Sequence, residues 1–280
     1  MGFGLSAVLK VIDDICVGSR TLNRESLLRF EEFAKKQPQL EIPVKHYIHG
    51  GMYGREITIP KDTILTGQIY KFNHFDIMVS GDITVSTDNG ETKRLTGYNC
   101  FKGMAGKKRA GYAHEDTTWI TFHPYSGSNG DDIQKFITAE TFEELELFNI
   151  AINRADYLTF VNSIGMNQDQ IDEQVNNKFD LSELEIDCVY VADSKINGKG
   201  LFSYRDFDAD EIVCLARDGN KRTLAGRYTN HALQPNSEIV FISDEWQLKT
   251  LSPIFEGEEF TISYRDILKS RLIRGDLCQE

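Results

Sequence analysis

The sequence has few cysteines and no paired cysteine motif. Five are present, an odd number, and no two form a Cys-x-x-Cys pair: Cys16, Cys100, Cys188, Cys214 and Cys278. Disulfide frameworks and zinc–thiolate sites need cysteines in even or closely spaced sets, so the distribution argues against both. It favours a reducing compartment, which predicts a cytoplasmic protein.

Long apolar runs and an excess of basic charge are also missing. No stretch approaches the roughly 20 apolar residues that cross a membrane. Lysine and arginine number 31 against 43 aspartates and glutamates, a formal net charge of −12. Because phosphate neutralisation needs a basic face, we expect neither a nucleic-acid nor a membrane partner. A local basic run, Lys107-Lys108-Arg109, lies beside glycines and is predicted to be a solvated loop.

The patterning predicts a mainly β, multi-domain chain with helices. Its 280 residues leave room for two domains, and 40% hydrophobic with 26% charged residues is typical of a globular protein. We predict a helical segment, a β domain, a helical connector, a second β domain and a tail, at residues 1–44, 45–125, 126–184, 185–268 and 269–280.

Helical spacing of apolar residues predicts helices on both sides of the first β domain. They cover residues 20–36, 141–152, 155–161 and 168–175. Thr141 and Glu144 form a Thr-x-x-Glu capping signal at the start of the second helix. Residues 126–130 are rich in serine and glycine and are predicted to be a linker.

Short alternating runs fill the first β domain. Residues 53–60, 77–85 and 119–123 alternate between apolar and polar, and Gly81-Asp82 is predicted to be a hairpin turn. Turn signals recur about every ten residues, which favours a sandwich or barrel of antiparallel strands.

Four segments near the C-terminus carry the chemistry. The first, GKGLF at 198–202, follows a strand, and its glycines let the backbone approach a ligand closely. The second, FDADEIV at 207–213, is an acidic turn that enters a strand. The third and fourth are RYTNHALQPN at 227–236 and EGEEFTISY at 256–264.

In this order the segments resemble the SET family of S-adenosylmethionine-dependent protein lysine methyltransferases. The family signatures are a Gly-x-Gly opening, an Arg-aromatic-x-Asn-His-Ser-x-x-Pro-Asn stretch and a Gly-Glu-Glu-x-Thr segment that leads to a tyrosine. The resemblance implies a compact β fold in which the third and fourth segments thread past one another, and S-adenosylmethionine as the cofactor.

The same resemblance assigns roles to individual residues. The implied cofactor-binding residues are Lys199, Gly200, Leu201, Asn230 and His231. The implied catalytic residues, at the methyl-transfer channel, are Tyr264 and Tyr228. In-line methyl transfer depends mainly on positioning, and a desolvated channel keeps the lysine amine neutral. No metal and no protein nucleophile is needed.

The chain departs from the SET pattern at several positions. Ala232 replaces the serine after Asn-His, and Asp210-Glu211 stands where Gly-Glu is usual. About fifteen residues separate Ile212 from Arg227, where family members carry a longer insert. No cysteine cluster follows Tyr264, so the zinc-binding module that follows some SET domains is absent. The cofactor side therefore matches the family better than the substrate side.

Residues 57–123 are similar to small cupin-like proteins of tailed phages. The likeness rests on residues 55–60, Thr66-Gly67, His74, residues 81–85 and residues 111–119, and it implies a jelly roll whose mouth binds a metal or a small ligand. The cupin His-x-His pair is missing. His74 and His114, with His123 and Glu56, are the candidate ligands, but isolated histidines in strands are more often packed or exposed, so we predict no metal.

Three functions follow as hypotheses. The first is a SET-type lysine methyltransferase, phage-encoded, that modifies a protein and whose acidic surface suits a basic target. The alternative is a non-catalytic phage structural or assembly protein built from cupin-like and SET-like modules. A third is a metal-dependent enzyme in the cupin-like domain. A homodimer, and a place in the host cytoplasm or in the virion of the bacteriophage, are left open.

Overall fold

The computed structural model describes residues 24–87, 91–125 and 132–268. The chain divides into two compact units, residues 1–145 and 146–280. The predicted linker at 126–130, the tail and the first part of the helix predicted at 20–36 lie outside the described residues. The rest of that helix is confirmed as α1, Arg24–Lys35.

The first unit is built on one antiparallel sheet of seven strands. In it β1 to β8 follow in the order β1-β2-β8-β5-β6, with β3 paired to β8 and β7 to β5. The short β4 pairs with β9. The bounds are β1 Val44–His49, β2 Met52–Ile59, β3 Ile64–Thr66, β4 Ile69–Tyr70, β5 His74–Ser86, β6 Thr92–Thr96, β7 Asn99–Gly103, β8 Ala110–Pro124, α2 Ile133–Ile137 and β9 Thr138–Ala139.

Inward-facing apolar residues hold this sheet together. Ile59, Met78, Ile83, Leu95 and Ala113 form a buried cluster with at most 5% of each side chain exposed. Successive residues of a strand point to opposite faces of the sheet. Residues 53–60 and 119–123, where the sequence alternates between apolar and polar, fall largely within β2 and β8.

The predicted hairpin turn at Gly81-Asp82 is wrong. β5 continues through this point from His74 to Ser86, with register shifts against β8 between residues 78 and 83. Gly81 has φ of +115°, and a Cβ there would lie 2.5 Å from Thr117 Cα. Glycine is therefore needed at a β-bulge, where it bends the strand without ending it.

The prediction of a solvated loop at Lys107-Lys108-Arg109 is wrong for its last two residues. The Lys108 side chain is 5% exposed, and its Nζ lies 2.9 Å from the Glu31 carboxylate and 2.8 Å from the Gly67 carbonyl oxygen. Arg109 donates to Asp76 at 3.1 Å. Both side chains are therefore turned away from solvent, because they form ion pairs with carboxylates from distant parts of the sequence.

Helix α3 is longer than predicted. It runs from Phe142 to Ser163 without a break, so the helices predicted at 141–152 and 155–161 are one. The residues between them contain no glycine or proline that would end a helix. The Thr141 hydroxyl accepts from the Glu144 N–H at 3.1 Å, as the capping signal predicted. Helix α4, Gln168–Asn176, follows with an Asn167/Gln170 capping box.

The second unit consists of short strands around a separate core. The bounds are β10 Val189–Asp193, β11 Lys199–Ser203, β12 Ile212–Leu215, β13 Arg217–Asp218, β14 Lys221–Arg222, α5 Leu224–Tyr228, β15 Asn230–His231, β16 Ser237–Ile242, β17 Glu245–Thr250 and β18 Thr261–Ile262, and one 3-10 turn at Lys178–Asp180. Leu201, Leu248, Ile254 and Phe260 are fully buried in this core. Apart from β15 and β18, the paired strands are antiparallel hairpins or a three-stranded sheet, β12-β17-β16.

Candidate functional site

Two segments far apart in sequence cross at the centre of the second unit. β15 and β18 run parallel, with Asn230 opposite Thr261 and His231 opposite Ile262. Asn236 fixes the crossing, because its side chain donates to the Glu259 carbonyl and accepts from the Thr261 N–H, each at 2.8 Å. The crossing brings Tyr264 beside His231.

Tyr264 closes the crossing through two hydrogen bonds. Its hydroxyl donates to the Thr229 carbonyl oxygen at 3.1 Å, and its backbone N–H donates to His231 Nδ1 at 3.2 Å. Burial raises the pKa of the Tyr264 hydroxyl well above its usual range, and neighbouring Tyr157 raises it further. The hydroxyl therefore stays protonated at neutral pH and can act as a donor.

The His231 ring is held from both sides. Because Nδ1 accepts from Tyr264, the ring proton is assigned to Nε2, which lies 2.8 Å from Asp156 Oδ2 on α3. Arg265 also donates to Asp156, at 3.0 Å. Partial burial alone would raise the pKa of Asp156, but the hydrogen bonds from Arg265 and His231 outweigh it and hold that pKa below its usual value.

Asn230 links the crossing to the hairpin formed by β10 and β11, which contains Gly198 and Gly200 and is called the glycine-rich hairpin below. Its Nδ2 donates to Glu259 Oε1 at 2.8 Å and to the Lys199 carbonyl oxygen at 3.1 Å. Ser194 Oγ donates to the same Glu259 carboxylate at 2.8 Å. A Cβ at Gly200 would lie 2.3 Å from Glu259 Oε1, so any larger residue there would displace the Glu259 carboxylate. Burial raises the pKa of Glu259 although these hydrogen bonds oppose the rise.

The predicted site residues do not all fall in one cluster. Lys199, Gly200, Asn230, His231 and Tyr264 lie in the connected network described above. The Leu201 side chain is fully buried in the core. Tyr228, at the end of α5, packs against the same core beside the Arg227 guanidinium, 5.7 Å from its ring centroid.

Sequence reasoning missed residues that complete the network. Thr229 supplies a carbonyl and Asp156 a carboxylate, and the Phe160 ring stacks 6.4 Å from the His231 ring. Asp156 and His231 are 75 positions apart, and no motif contains Asp156. Of these residues, only Thr229 could have been found from the sequence, because it directly precedes the Asn230-His231 pair of the family signature.

A cavity of about 740 Å³ opens onto Tyr264. Thr229, Ile239 and Trp246 contribute to its wall. The charged residues of the wall are Asp180, Arg217, Arg222 and Arg227. The wall thus contains more cationic than anionic side chains, although the chain as a whole is acidic.

The candidate metal ligands of the first unit do not converge. His74 and His114 are separated by about nine positions along β5, roughly 30 Å. His114 is hydrogen-bonded to Thr84, and Glu56 pairs with Lys45. The His123 ring does lie 4.7 Å from the His74 ring. Among residues 24–87, 91–125 and 132–268, no group of three or more His, Cys, Asp or Glu side chains is placed to hold a metal ion.

The parallel crossing, with its partly buried tyrosine and its buried Asn-His pair, is the arrangement that the SET resemblance implies. Residues 149–265 match the SET domain family. The match begins inside α3, so it includes helices that the sequence patterning assigned to the connector. No curated protein matches the chain.

Solved structures similar to the N-terminal region have the cupin fold. One is a Cupin_2 domain of an XRE-family transcriptional regulator from Enterobacter cloacae, 13% identical, covering 31% of this chain and 98% of that one, with a TM-score of 0.27. A second is a cupin superfamily protein from Desulfitobacterium hafniense, 8% identical, covering 32% of this chain and 84% of that one, with a TM-score of 0.27. A third is KdgF from Halomonas sp., 18% identical, covering 35% of this chain and 89% of that one, with a TM-score of 0.28.

At these identities and TM-scores the likeness says nothing about a ligand or an activity. The predicted mainly β fold with helices is confirmed, and the C-terminal region matches the SET family as predicted. A bacteriophage origin stays a prediction. Within the described part of the chain, no helix is both long and apolar enough to cross a membrane.

Proposed function

We propose that the SET domain transfers a methyl group from S-adenosylmethionine to the side-chain amine of a protein lysine. One observation carries the proposal. The protonated Tyr264 hydroxyl and the Thr229 carbonyl oxygen, 3.1 Å apart, both line the wall of the same cavity. Since the hydroxyl proton is donated to that carbonyl, each group still has an oxygen lone pair that can accept a hydrogen bond from an incoming amine, and together they can orient it.

The proposed role of these groups is positioning. Methyl transfer is an in-line displacement, whose rate depends on alignment of the two reacting atoms. The Thr229 carbonyl would accept a hydrogen bond from the amine. The Tyr264 ring would exclude water, which lowers the pKa of a lysine amine and favours its neutral form. His231 would hold the Tyr264 backbone in place and take no part in proton transfer.

The residues of the glycine-rich hairpin fit the proposed cofactor. The main-chain carbonyls of Asn197 and Lys199 lie beside the partly buried Glu259 carboxylate, and all three are within 3.2 Å of Asn230 Nδ2. This set of oxygen acceptors suits a ligand with a sulfonium and an ammonium group. S-adenosylmethionine supplies the activated methyl when it is bound; Lys199, Gly200 and Asn230 would hold it.

The Tyr264→Phe variant tests the proposal. We expect transfer of labelled methyl from S-adenosylmethionine to a library of lysine peptides to fall by about 100-fold or more, because the amine loses its alignment. Cofactor binding should persist. The Tyr204→Phe variant is the matched control, since Tyr204 is 56% exposed and its ring contacts Tyr190 away from the crossing. Equal transfer by wild type and Tyr264→Phe would exclude the assigned role.

A non-catalytic binding role is the second candidate. It is favoured by the fact that both ring nitrogens of His231 and the amide nitrogen of Asn230 already have protein partners. A domain used only for assembly would keep this network and bind no cofactor. Titration with S-adenosylmethionine separates the two candidates.

A further inference from the structure

The first unit contains a cavity of about 310 Å³ that the proposed methyl transfer does not use. Its wall is formed by β2, β3, β5 and β8. At a share of roughly 30 Å³ for each water molecule, it has room for about ten waters or a ligand with a similar number of non-hydrogen atoms. Cavities of this size are typical of small-molecule sites.

The strand register places polar and apolar residues at different ends of the cavity. Arg55 on β2 and Asp76 on β5 both lie opposite Thr121 on β8, so the three form one polar row. Ile83 and Val85 also line the cavity, but they lie seven and nine positions further along β5. A ligand in this cavity would meet charge at one end and aliphatic side chains at the other.

The polar end contains more cations than anions. Arg55, Lys107 and Arg109 line the cavity together with one carboxylate, Asp76. That carboxylate is 4% exposed and already accepts from Trp119 Nε1 at 2.9 Å and from Arg109 at 3.1 Å. Asp76 is thus committed to protein donors, and the cationic side chains outnumber it at this end.

A buried polar atom also points to a ligand. Thr121 Oγ1 makes no hydrogen bond of good geometry among the described residues and has the Tyr70 hydroxyl as a polar neighbour, and Thr121 is 4% exposed. Leaving such a hydroxyl unsatisfied costs about 1–3 kcal/mol. It lies in the row between Arg55 and Asp76, where a ligand acceptor would satisfy it.

We propose that this cavity binds a small organic anion, with a carboxylate held by Arg55, Arg109 and Thr121 and an aliphatic body against Ile83 and Val85. Arginine suits this role because its planar guanidinium donates two parallel hydrogen bonds to a carboxylate. In this proposal the donors to the anion are the protein's own side chains.

Three probes of equal chain length test the charge selection on the full-length protein. Hexanoate, hexan-1-ol and hexylamine differ only in their head group, so calorimetric titration of each isolates the contribution of charge. We expect hexanoate to bind at least about tenfold more tightly than hexan-1-ol, and hexylamine to give no binding heat. Equal affinity for hexanoate and hexylamine, or no binding of hexanoate at millimolar concentration, would overturn the proposal.

Variants locate the site. Arg55→Gln should weaken hexanoate binding by about tenfold or more, and Arg55→Lys should recover part of it. Arg94→Gln is the matched control, because Arg94 lies on β6, is 60% exposed and pairs with Asp82. Thermal melting of each variant checks folding. Unchanged hexanoate affinity in a folded Arg55→Gln variant would contradict the assignment.

Discussion

Asp210 stands where the SET signature has glycine. Its φ of +65° lies in the left-handed region, which glycine adopts freely and aspartate more readily than most residues. Its carboxylate also lies 2.6 Å from Lys249 Nζ. The departure from the family pattern therefore keeps the backbone conformation for which glycine is suited.

The free energy of unfolding of Asp210 variants should depend on how readily the new residue adopts a positive φ. Asp210→Gly should leave the free energy of unfolding unchanged within about 0.5 kcal/mol, whereas Asp210→Val should lower it by about 1–3 kcal/mol. Lys249→Gln removes the ion pairs of Lys249 with Asp210 and Glu238 without changing the turn residue, and it should cost under about 1 kcal/mol. Urea denaturation measures all three. A valine variant as stable as the wild type would show that the turn is not constrained.

His123 is a buried, neutral residue in the first unit. It is 1% exposed, and neither ring nitrogen has a hydrogen-bond partner among the described residues. Burial, with the nearby His74 as a second cause, lowers its pKa from 6.5 to about 3. Unfolding therefore takes up a proton at any pH between these values.

The His123→Phe variant should lose part of the pH dependence of stability. Since the folded pKa is depressed, the stabilisation is present above pH 6.5 and is lost as the pH falls towards 3. Between pH 7 and pH 5 the wild type should lose about 2 kcal/mol from this residue. Denaturation at both pH values should show a smaller loss in His123→Phe and an unchanged loss in the exposed control His49→Gln. Identical losses in all three proteins would refute the burial argument.

At the scale of elements, β5 shows how one glycine keeps a long strand in the sheet. The bulge at Gly81 lets β5 pair with β8 on both sides of the register shift. The polar row of the cavity lies before the bulge, and Ile83 and Val85 lie after it. The strand thus carries both ends of the proposed anion site.

The Gly81→Ala variant tests this element. The added Cβ would lie 2.5 Å from Thr117 Cα and 2.7 Å from the Asp116 carbonyl oxygen, at a positive φ. We expect a loss of about 2–5 kcal/mol in the free energy of unfolding. Gly97→Ala is the matched control: it has a positive φ but nothing within 4 Å of the added Cβ. It should lose only about 1–2 kcal/mol. Equal losses would rule out the steric explanation.

At the scale of the whole molecule, the sequence predicts local features better than distant pairings. The third and fourth segments predict the β15–β18 crossing because they carry a family signature. The sequence does not predict the role of α3, because the hydrogen bond between Asp156 and His231 joins residues that are 75 positions apart and share no motif. The sequence also does not predict the ion pairs of Lys108 and Arg109, because their partners, Glu31 and Asp76, lie on other elements.

The central claim is that the SET domain binds S-adenosylmethionine and uses it. Calorimetric titration of the full-length protein with S-adenosylmethionine tests this most directly, because binding needs no knowledge of the methyl acceptor. We predict one binding site per chain, with an affinity weakened by about tenfold or more in Asn230→Ala, because the amide that joins the glycine-rich hairpin to Glu259 is removed. A protein that melts cooperatively and gives no binding heat would contradict the claim.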